Sequence, residues 1–243
     1  NFSQALVVLV FKTHTTGASN VAIGLNSLLS NTTGASNVAI GTLALDANTT
    51  ASYNTAIGQS ALGANTTGAG NIGIGYNALT ANTGSSLNIA IGNGALDAFN
   101  VASGDGYNIA IGENAGGTTT TGVQNTFIGG LSADANTTGA NNTALGYFSL
   151  TGNTTGSGNV ALGKAALEAN TTADNNTAVG KEALRLNTTG TQNTAIGSLA
   201  LDANTTASDN TAVGYAALGA NTTGTRNTAM GSVALDANTT GND

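Results

Sequence analysis

The chain has 243 residues and a net charge of −7, and it contains 35 glycines but no proline, cysteine or tryptophan. This acidic balance excludes the basic surface that nucleic-acid binding requires and makes an anionic membrane a poor partner. Without cysteine, the chain has neither a disulfide framework nor a thiolate metal site. Only 7% of its residues are charged, against about a quarter in ordinary globular proteins, so the composition indicates a repeat array.

The first predicted element, residues 1–19, is a degenerate coil of the repeat that follows it. Its longest apolar run, Ala5–Phe11, is too short to span a bilayer, so we expect no membrane insertion. We expect the apolar side chains of this coil to contact a neighbouring subunit in a head-to-tail fibre. The alternative is a local cap folded over the first coil. The side chains concerned are Leu6, Val8, Val10 and Phe11.

From Asn20 onwards, a motif of the form Asn-x-Ala-aliphatic-Gly recurs thirteen times, at intervals of 17 residues with one interval of 20. We number the repeat positions 1 to 17 from the first asparagine of each copy. Position 1 is always Asn, position 5 is always Gly, and position 9 is Leu in eleven copies. The copies start at Asn20, Asn37, Asn54, Asn71, Asn88, Asn108, Asn125, Asn142, Asn159, Asn176, Asn193, Asn210 and Asn227.

The repeat predicts an all-β fold: a parallel β-solenoid, or β-roll, of about fourteen coils in one domain over residues 1–243. Seventeen residues are too few for a helical hairpin, and helices avoid such dense glycine and β-branched residues. Each copy holds a short β segment such as Asn54–Ile57, a second short segment such as Ser60–Leu62, and a turn such as Asn65–Gly68. Neighbouring coils then pair as parallel strands about 4.8 Å apart.

The columns formed by equivalent positions predict what the coils share. Asparagines at positions 1 and 12 should form amide ladders from coil to coil. Ile196 and Leu201, with their equivalents, are expected to form one continuous core. Position 3, which is mostly Ala, then faces the other side and is a candidate surface for assembly at Ala195, Ala212 and Ala229. Alternatively, Ala lies inside and the Thr/Val/Ile and Ile columns face outwards.

One coil departs from the uniform repeat. A three-residue insertion falls in residues 98–107, and we expect Gly104–Gly106 to form a loop that bulges out of its coil. In the following coil Gly116 replaces the usual Leu, which predicts the weakest core of the array.

Residues that could carry catalysis or bind a cofactor or metal are missing from the pattern, so we expect no enzyme activity, cofactor or metal. A lone histidine, His14, is more simply a solvated side chain than a base or ligand. Glu168, Arg185 and Asp202 share position 10 on successive coils and are expected to form an exposed ion-pair ladder of small energetic value. Asn-Thr-Thr glycosylation sequences recur on most coils, but stacked glycans would collide, so we expect few to be modified.

Coils such as Asn193–Gly197 followed by Ala200-Leu201 resemble repeats of phage tail-fibre and bacterial surface proteins. They are also similar to the N-S-V-A-I-G head repeats of trimeric autotransporter adhesins. The resemblance implies a left-handed β-roll, three chains packed side by side, and attachment as the task. It also implies an extracellular location, on a cell surface or a virion fibre.

The sequence therefore predicts a non-enzymatic structural component of an extracellular fibre that binds copies of itself, as a trimer or a head-to-tail filament. The alternative is an adhesin or receptor-binding module that recognises a host surface, a glycan or ice. Ice recognition favours Thr-x-Thr, which points both hydroxyls the same way. The paired threonines here, such as Thr222-Thr223, are adjacent and lie at a predicted turn.

Overall fold

A computed structural model describes residues 16–243, which divide into two compact units. The first unit ends at Asn108 and the second runs from Ile109 to Asp243. Each is an all-β parallel solenoid, which confirms the predicted fold class. There are about 12 turns in all, against the fourteen predicted. The degenerate first coil lies largely outside the described residues, and the single domain over residues 1–243 stays a prediction.

The first unit contains one parallel sheet of five short strands and a separate two-stranded pair. The sheet has the order β1-β2-β3-β4-β6, and equivalent repeat positions pair in register. Its strands are β1 Val21–Ile23, β2 Val38–Ile40, β3 Thr55–Ile57, β4 Ile72–Ile74 and β6 Ile89–Ile91. The separate pair consists of β5 Ser85–Ser86 and β7 Gly104–Asp105.

In the second unit, eight strands pair in chain order and in the same register. Every strand occupies positions 2 to 4 of its coil. The strands are β8 Ile109–Ile111, β9 Thr126–Ile128, β10 Thr143–Leu145, β11 Val160–Leu162, β12 Thr177–Val179, β13 Thr194–Ile196, β14 Thr211–Val213 and β15 Thr228–Met230.

Glycine at position 5 ends the strand that occupies positions 2 to 4 of each coil, for two physical reasons. Gly58 has φ +132°, a backbone conformation that residues with a side chain rarely adopt. A Cβ on Gly58 would also lie 2.4 Å from the carbonyl oxygen of Gly75 on the next coil. The stacking of the coils therefore leaves no room for any other residue at this position.

The predicted second β segment is wrong, because Ser60–Leu62 lies in turns. Ser60 and Leu62 have φ values of 58° and 52°, in the left-handed region. With this backbone conformation, N–H groups of the turn donate hydrogen bonds to both neighbouring coils. Ser60 N–H donates to the Thr42 carbonyl of one neighbouring coil at 2.9 Å, and Leu62 N–H donates to the Ala78 carbonyl of the other at 3.0 Å. The coil can thus bend here while its polar groups stay bonded.

The interior is lined by the Ala side chains of position 3 and the Leu side chains of position 9. Leu201 is fully buried, as predicted, but Ile196 is 41% exposed, so the prediction that its column forms core is wrong. The alternative with Ala inside is confirmed. The reason is space: a Cβ on Gly73, at position 3, would lie 3.2 Å from Cγ of Leu62 on the preceding coil. Beside such a leucine, only a methyl group fits.

Phe127 is the exception that follows the same geometry. It occupies position 3, is fully buried, and stands one coil after Gly116, the glycine that replaces leucine. Phe127 and Gly116 occupy the same two repeat positions as Gly73 and Leu62, respectively: position 3 of one coil and position 9 of the coil before it. The phenyl ring therefore fills the volume that the missing leucine side chain leaves, which offsets the weak core expected there.

Both predicted asparagine ladders are confirmed. At position 1, Asn54 N–H donates to Asn37 Oδ1 at 2.9 Å, while Asn54 Nδ2 donates to the Gly68 carbonyl at 2.9 Å. At position 12, Asn65 Nδ2 donates to Asn48 Oδ1 at 3.2 Å and to the same Gly68 carbonyl at 3.0 Å. These asparagines are fully buried, so each ladder satisfies polar groups that would otherwise destabilise the interior.

The position-12 ladder of the first unit ends in the coil that carries the insertion. Phe99 occupies position 12 there and is fully buried. Asn82, on the preceding coil, consequently has a buried Oδ1 without a hydrogen-bond partner. In the insertion, Gly104 and Asp105 are exposed and Gly106 is buried, so it is not a free loop. Its residues pair as β7 with the preceding coil, and Gly106 N–H donates to the Ser86 carbonyl at 2.9 Å.

Candidate assembly surface

A strip of alternating residues forms the outside of each sheet. In the coil around β10, Asn141, Thr143, Leu145 and Tyr147 are exposed, whereas the intervening Asn142 and Ala144 are buried. The alternation thus extends beyond the strand in both directions. We call the side chains at positions 17, 2, 4 and 6 the outer sheet face.

In the first unit this face carries no charged residue between Ser19 and Tyr107. Its inner columns, positions 2 and 4, are Val, Ile and a single Thr, which is Thr55. All the exposed large apolar or tyrosine side chains of the described part of this unit lie on the outer sheet face. They are Val21, Ile23, Leu25, Tyr53, Tyr76, Leu87 and Tyr107.

In the second unit the same face is more polar. Six of its eight position-2 residues are threonine, the exceptions being Ile109 and Val160. Charged residues occupy its outer columns, at positions 6 and 17. They are Glu113, Lys164, Lys181, Asp209, Arg226 and Asp243.

Sequence reasoning missed the tyrosines. All five lie at position 6 or position 17, on the rims of the outer sheet face, and all are at least half exposed. Tyrosine combines a large apolar ring with a polar tip and is enriched at interfaces for that reason. The signal was present in the sequence, because no tyrosine occurs at any other repeat position. The five are Tyr53, Tyr76, Tyr107, Tyr147 and Tyr215.

The predicted assembly residues have two different outcomes. Ala195 and Ala212 are fully buried and Ala229 is 3% exposed, within their own chain. They cannot contact another subunit, so assigning assembly to the Ala column was wrong, and the opposite face is the one that is open. The other candidates, Leu6, Val8, Val10 and Phe11, lie outside the described residues, so their assembly role stays a prediction.

The predicted ion-pair ladder at position 10 does not form as direct salt bridges. Within residues 16–243, the salt bridges join Lys181 to Glu182 at 3.3 Å and Arg226 to Asp243 at 2.6 Å. Burial raises the pKa of the Asp202 carboxyl, and the charge of Arg185 opposes that rise without a direct contact. The column of Glu168, Arg185 and Asp202 therefore contributes at most a weak, screened attraction.

Two other position-10 carboxyls have raised pKa values, those of Asp46 and Asp97, again because burial disfavours the charged form.

No group of acidic or histidine side chains in residues 16–243 is arranged to hold a metal ion. This described part encloses no cavity for a small molecule and has no helix able to cross a membrane. His14 lies outside it.

The Asn-Thr-Thr sequences from Asn31 to Asn221 are closed to glycosylation in the folded chain. Their asparagine is the position-12 residue, and in Asn187 its Nδ2 donates to Asn170 Oδ1 at 3.1 Å and to the Gly190 carbonyl at 2.9 Å. A glycan is attached through this same nitrogen, which is fully buried here.

Comparison with models of known protein families, with curated proteins and with solved structures gives no match to this chain. The likeness to tail-fibre and adhesin repeats, with the handedness and trimer that it implies, therefore stays a prediction.

Proposed function

We propose that this protein is a non-enzymatic structural component of an extracellular fibre or filament, on a cell surface or a virion. Copies of it assemble by side-to-side packing, end-to-end packing or both. The observation that carries this proposal is the outer sheet face, where outward aliphatic and tyrosine side chains recur coil after coil and no other part of residues 16–243 covers them.

Such a face favours association on physical grounds. Exposed apolar patches larger than a few hundred Å² are rare on monomers and mark interaction sites. Sheets pack face to face at about 10 Å when their facing side chains interdigitate. Because consecutive coils of a unit present similar outward residues, each additional coil adds a small contribution to binding.

Recognition of ice, one form of the alternative receptor-binding function, has less support. The outward pair of positions 2 and 4 is never Thr-x-Thr on any described coil. Position 4 is aliphatic or Met throughout, as in Ile57, Leu145 and Met230. The adjacent threonines at positions 13 and 14 are not a flat array, because the position-13 hydroxyl is used internally: Thr66 Oγ1 donates to the Thr83 carbonyl at 2.9 Å.

Sedimentation velocity over a range of concentrations, combined with electron microscopy of the full chain, tests the proposal. We expect species well above the 23.5 kDa monomer, and rods or filaments in the micrographs. A chain that stays monomeric at high concentration would overturn it.

A further inference from the structure

We propose that the outer sheet face of the first unit is the side-to-side contact, and that it binds the same face of a second copy of the chain. This inference rests on the proposed function and assigns it to one surface. The first-unit face is the set of position-17, 2, 4 and 6 side chains from Ser19 to Tyr107.

The charge distribution selects this face over its equivalent in the second unit. The first-unit face has no charged side chain, so two copies can approach without desolvating an ion. The second-unit face would bring Glu113, Lys164 and Lys181 into the contact. The chain as a whole carries −7, so two copies repel each other overall, and a contact through the uncharged face places no further charge in the interface.

The arrangement of side chains is that of an interface centre with its rim. Aliphatic pairs such as Ile72 with Ile74 and Ile89 with Ile91 form the two inner columns, and Tyr53, Tyr76 and Tyr107 lie in the two outer ones. Depletion of charge at the centre, with aromatic residues enriched, is characteristic of protein interfaces. Tyrosine is also among the residues that contribute most binding energy.

The area is of the size that a specific contact between two copies needs. Five strands about 4.8 Å apart and seven residues, each spanning at most about 3.3 Å, give a face of up to roughly 550 Å². Two such faces bury up to about 1,100 Å², comparable with the roughly 1,000 Å² that a specific interface needs. A face that meets its own copy across a two-fold axis needs no second complementary surface.

The same features favour a second copy over a glycan as partner. Recognition of a sugar requires buried polar groups that bond its hydroxyls, and Ile72, Ile74, Ile89 and Ile91 supply none. Two β-branched surfaces, by contrast, interdigitate well when sheets pack face to face.

Lysine substitutions at position 6 test the assignment, because the chain itself shows that its coils tolerate them. Lys164 and Lys181 occupy position 6 of consecutive coils. The double variant Gln59→Lys/Tyr76→Lys reproduces that pair on the first-unit face. Its matched control is Ser198→Lys/Tyr215→Lys, at position 6 of consecutive coils in the second unit.

We expect the first variant to raise the dissociation constant of self-association at least about tenfold, because it buries unpaired charge, and the control to change it less than about twofold. Sedimentation equilibrium measures both constants, and far-UV circular dichroism checks that each variant keeps its fold. Equal weakening by both variants, or by neither, overturns the assignment to this face while leaving self-assembly intact. A monomeric wild-type chain removes the proposed function as well. If that monomer binds glycans on an array and the first variant abolishes the binding, the first-unit face is a glycan-binding surface.

Discussion

The two units are built from the same coil but differ in how they depart from it. In the first unit, the position-12 amide ladder runs from Asn31 to Asn82 and ends at Phe99. In the second, seven consecutive coils from Asn136 to Asn238 carry it. The first unit has the uncharged outer face, whereas the second has a face with threonine at most position-2 sites and charged residues at positions 6 and 17. The columns of a solenoid can therefore change independently of one another.

The largest effect should come from what the units share, the leucine column. Leu201→Asp places an unpaired carboxylate in a fully buried site and should reduce the free energy of unfolding by more than about 4 kcal/mol. Leu62→Asp, its equivalent in the first unit, should cost a similar amount. Urea unfolding followed by circular dichroism measures both.

The control for this prediction is Ile196→Asp, on the exposed side of the same coil. It should cost only about 1 kcal/mol, mostly through poor β propensity. A cost at position 4 as large as that at position 9 would contradict the assignment of inside and outside.

An intermediate effect should come from the exchange of volume between two coils of the second unit. Phe127→Ala removes a fully buried ring and should cost about 3–5 kcal/mol. Gly116→Leu alone overpacks the interior and should cost about 1–3 kcal/mol. The double variant restores the usual Ala and Leu, and Gly116 already has φ 58°, close to that of the other column leucines. Its stability should return to within about 1 kcal/mol of wild type. Additive costs in this cycle would show that the two positions do not share a volume.

The sequence predicted the coil because its constraints are local and repeated. Position 5 had to be glycine for both φ and space, and the amide columns needed asparagine at position 1 of every coil and at position 12 of most coils. It was harder to predict which face of the strand points into the interior, because Ala195 and Ile196 are both apolar and alternation alone fits either assignment. What decides it is the distance from position 3 to the leucine of the adjacent coil, a tertiary quantity.

Two further features could not be predicted from the repeat pattern, because they also depend on how the coils stack. The turn at Ser60–Leu62 uses left-handed conformations for residues that seldom adopt them, and stacking imposes this rather than local propensity. The outer sheet face continues past the three-residue strand to the tyrosines at positions 17 and 6, which the motif of positions 1 to 5 does not indicate.

The smallest effect should separate the interrupted ladder from the continuous one. Asn65→Ala removes the donor to Asn48 Oδ1 and the acceptor of Asn82 Nδ2, which leaves two buried polar groups short of a partner. Asn82→Ala leaves only Asn65 Oδ1 without its hydrogen-bond donor. Asn82 Oδ1 has no partner to lose, and the Ser85 carbonyl keeps its hydrogen bond from Asn71 Nδ2 at 2.8 Å.

We therefore expect Asn65→Ala to destabilise the chain by about 1–2 kcal/mol more than Asn82→Ala in urea unfolding. Asn187→Ala is the matched variant in the second unit, where the ladder continues on both sides, so it should resemble Asn65→Ala. If all three variants cost the same, the unpaired oxygen of Asn82 is not a weak point. In that case the end of the amide ladder at Phe99 would carry no energetic consequence for the coils beside it.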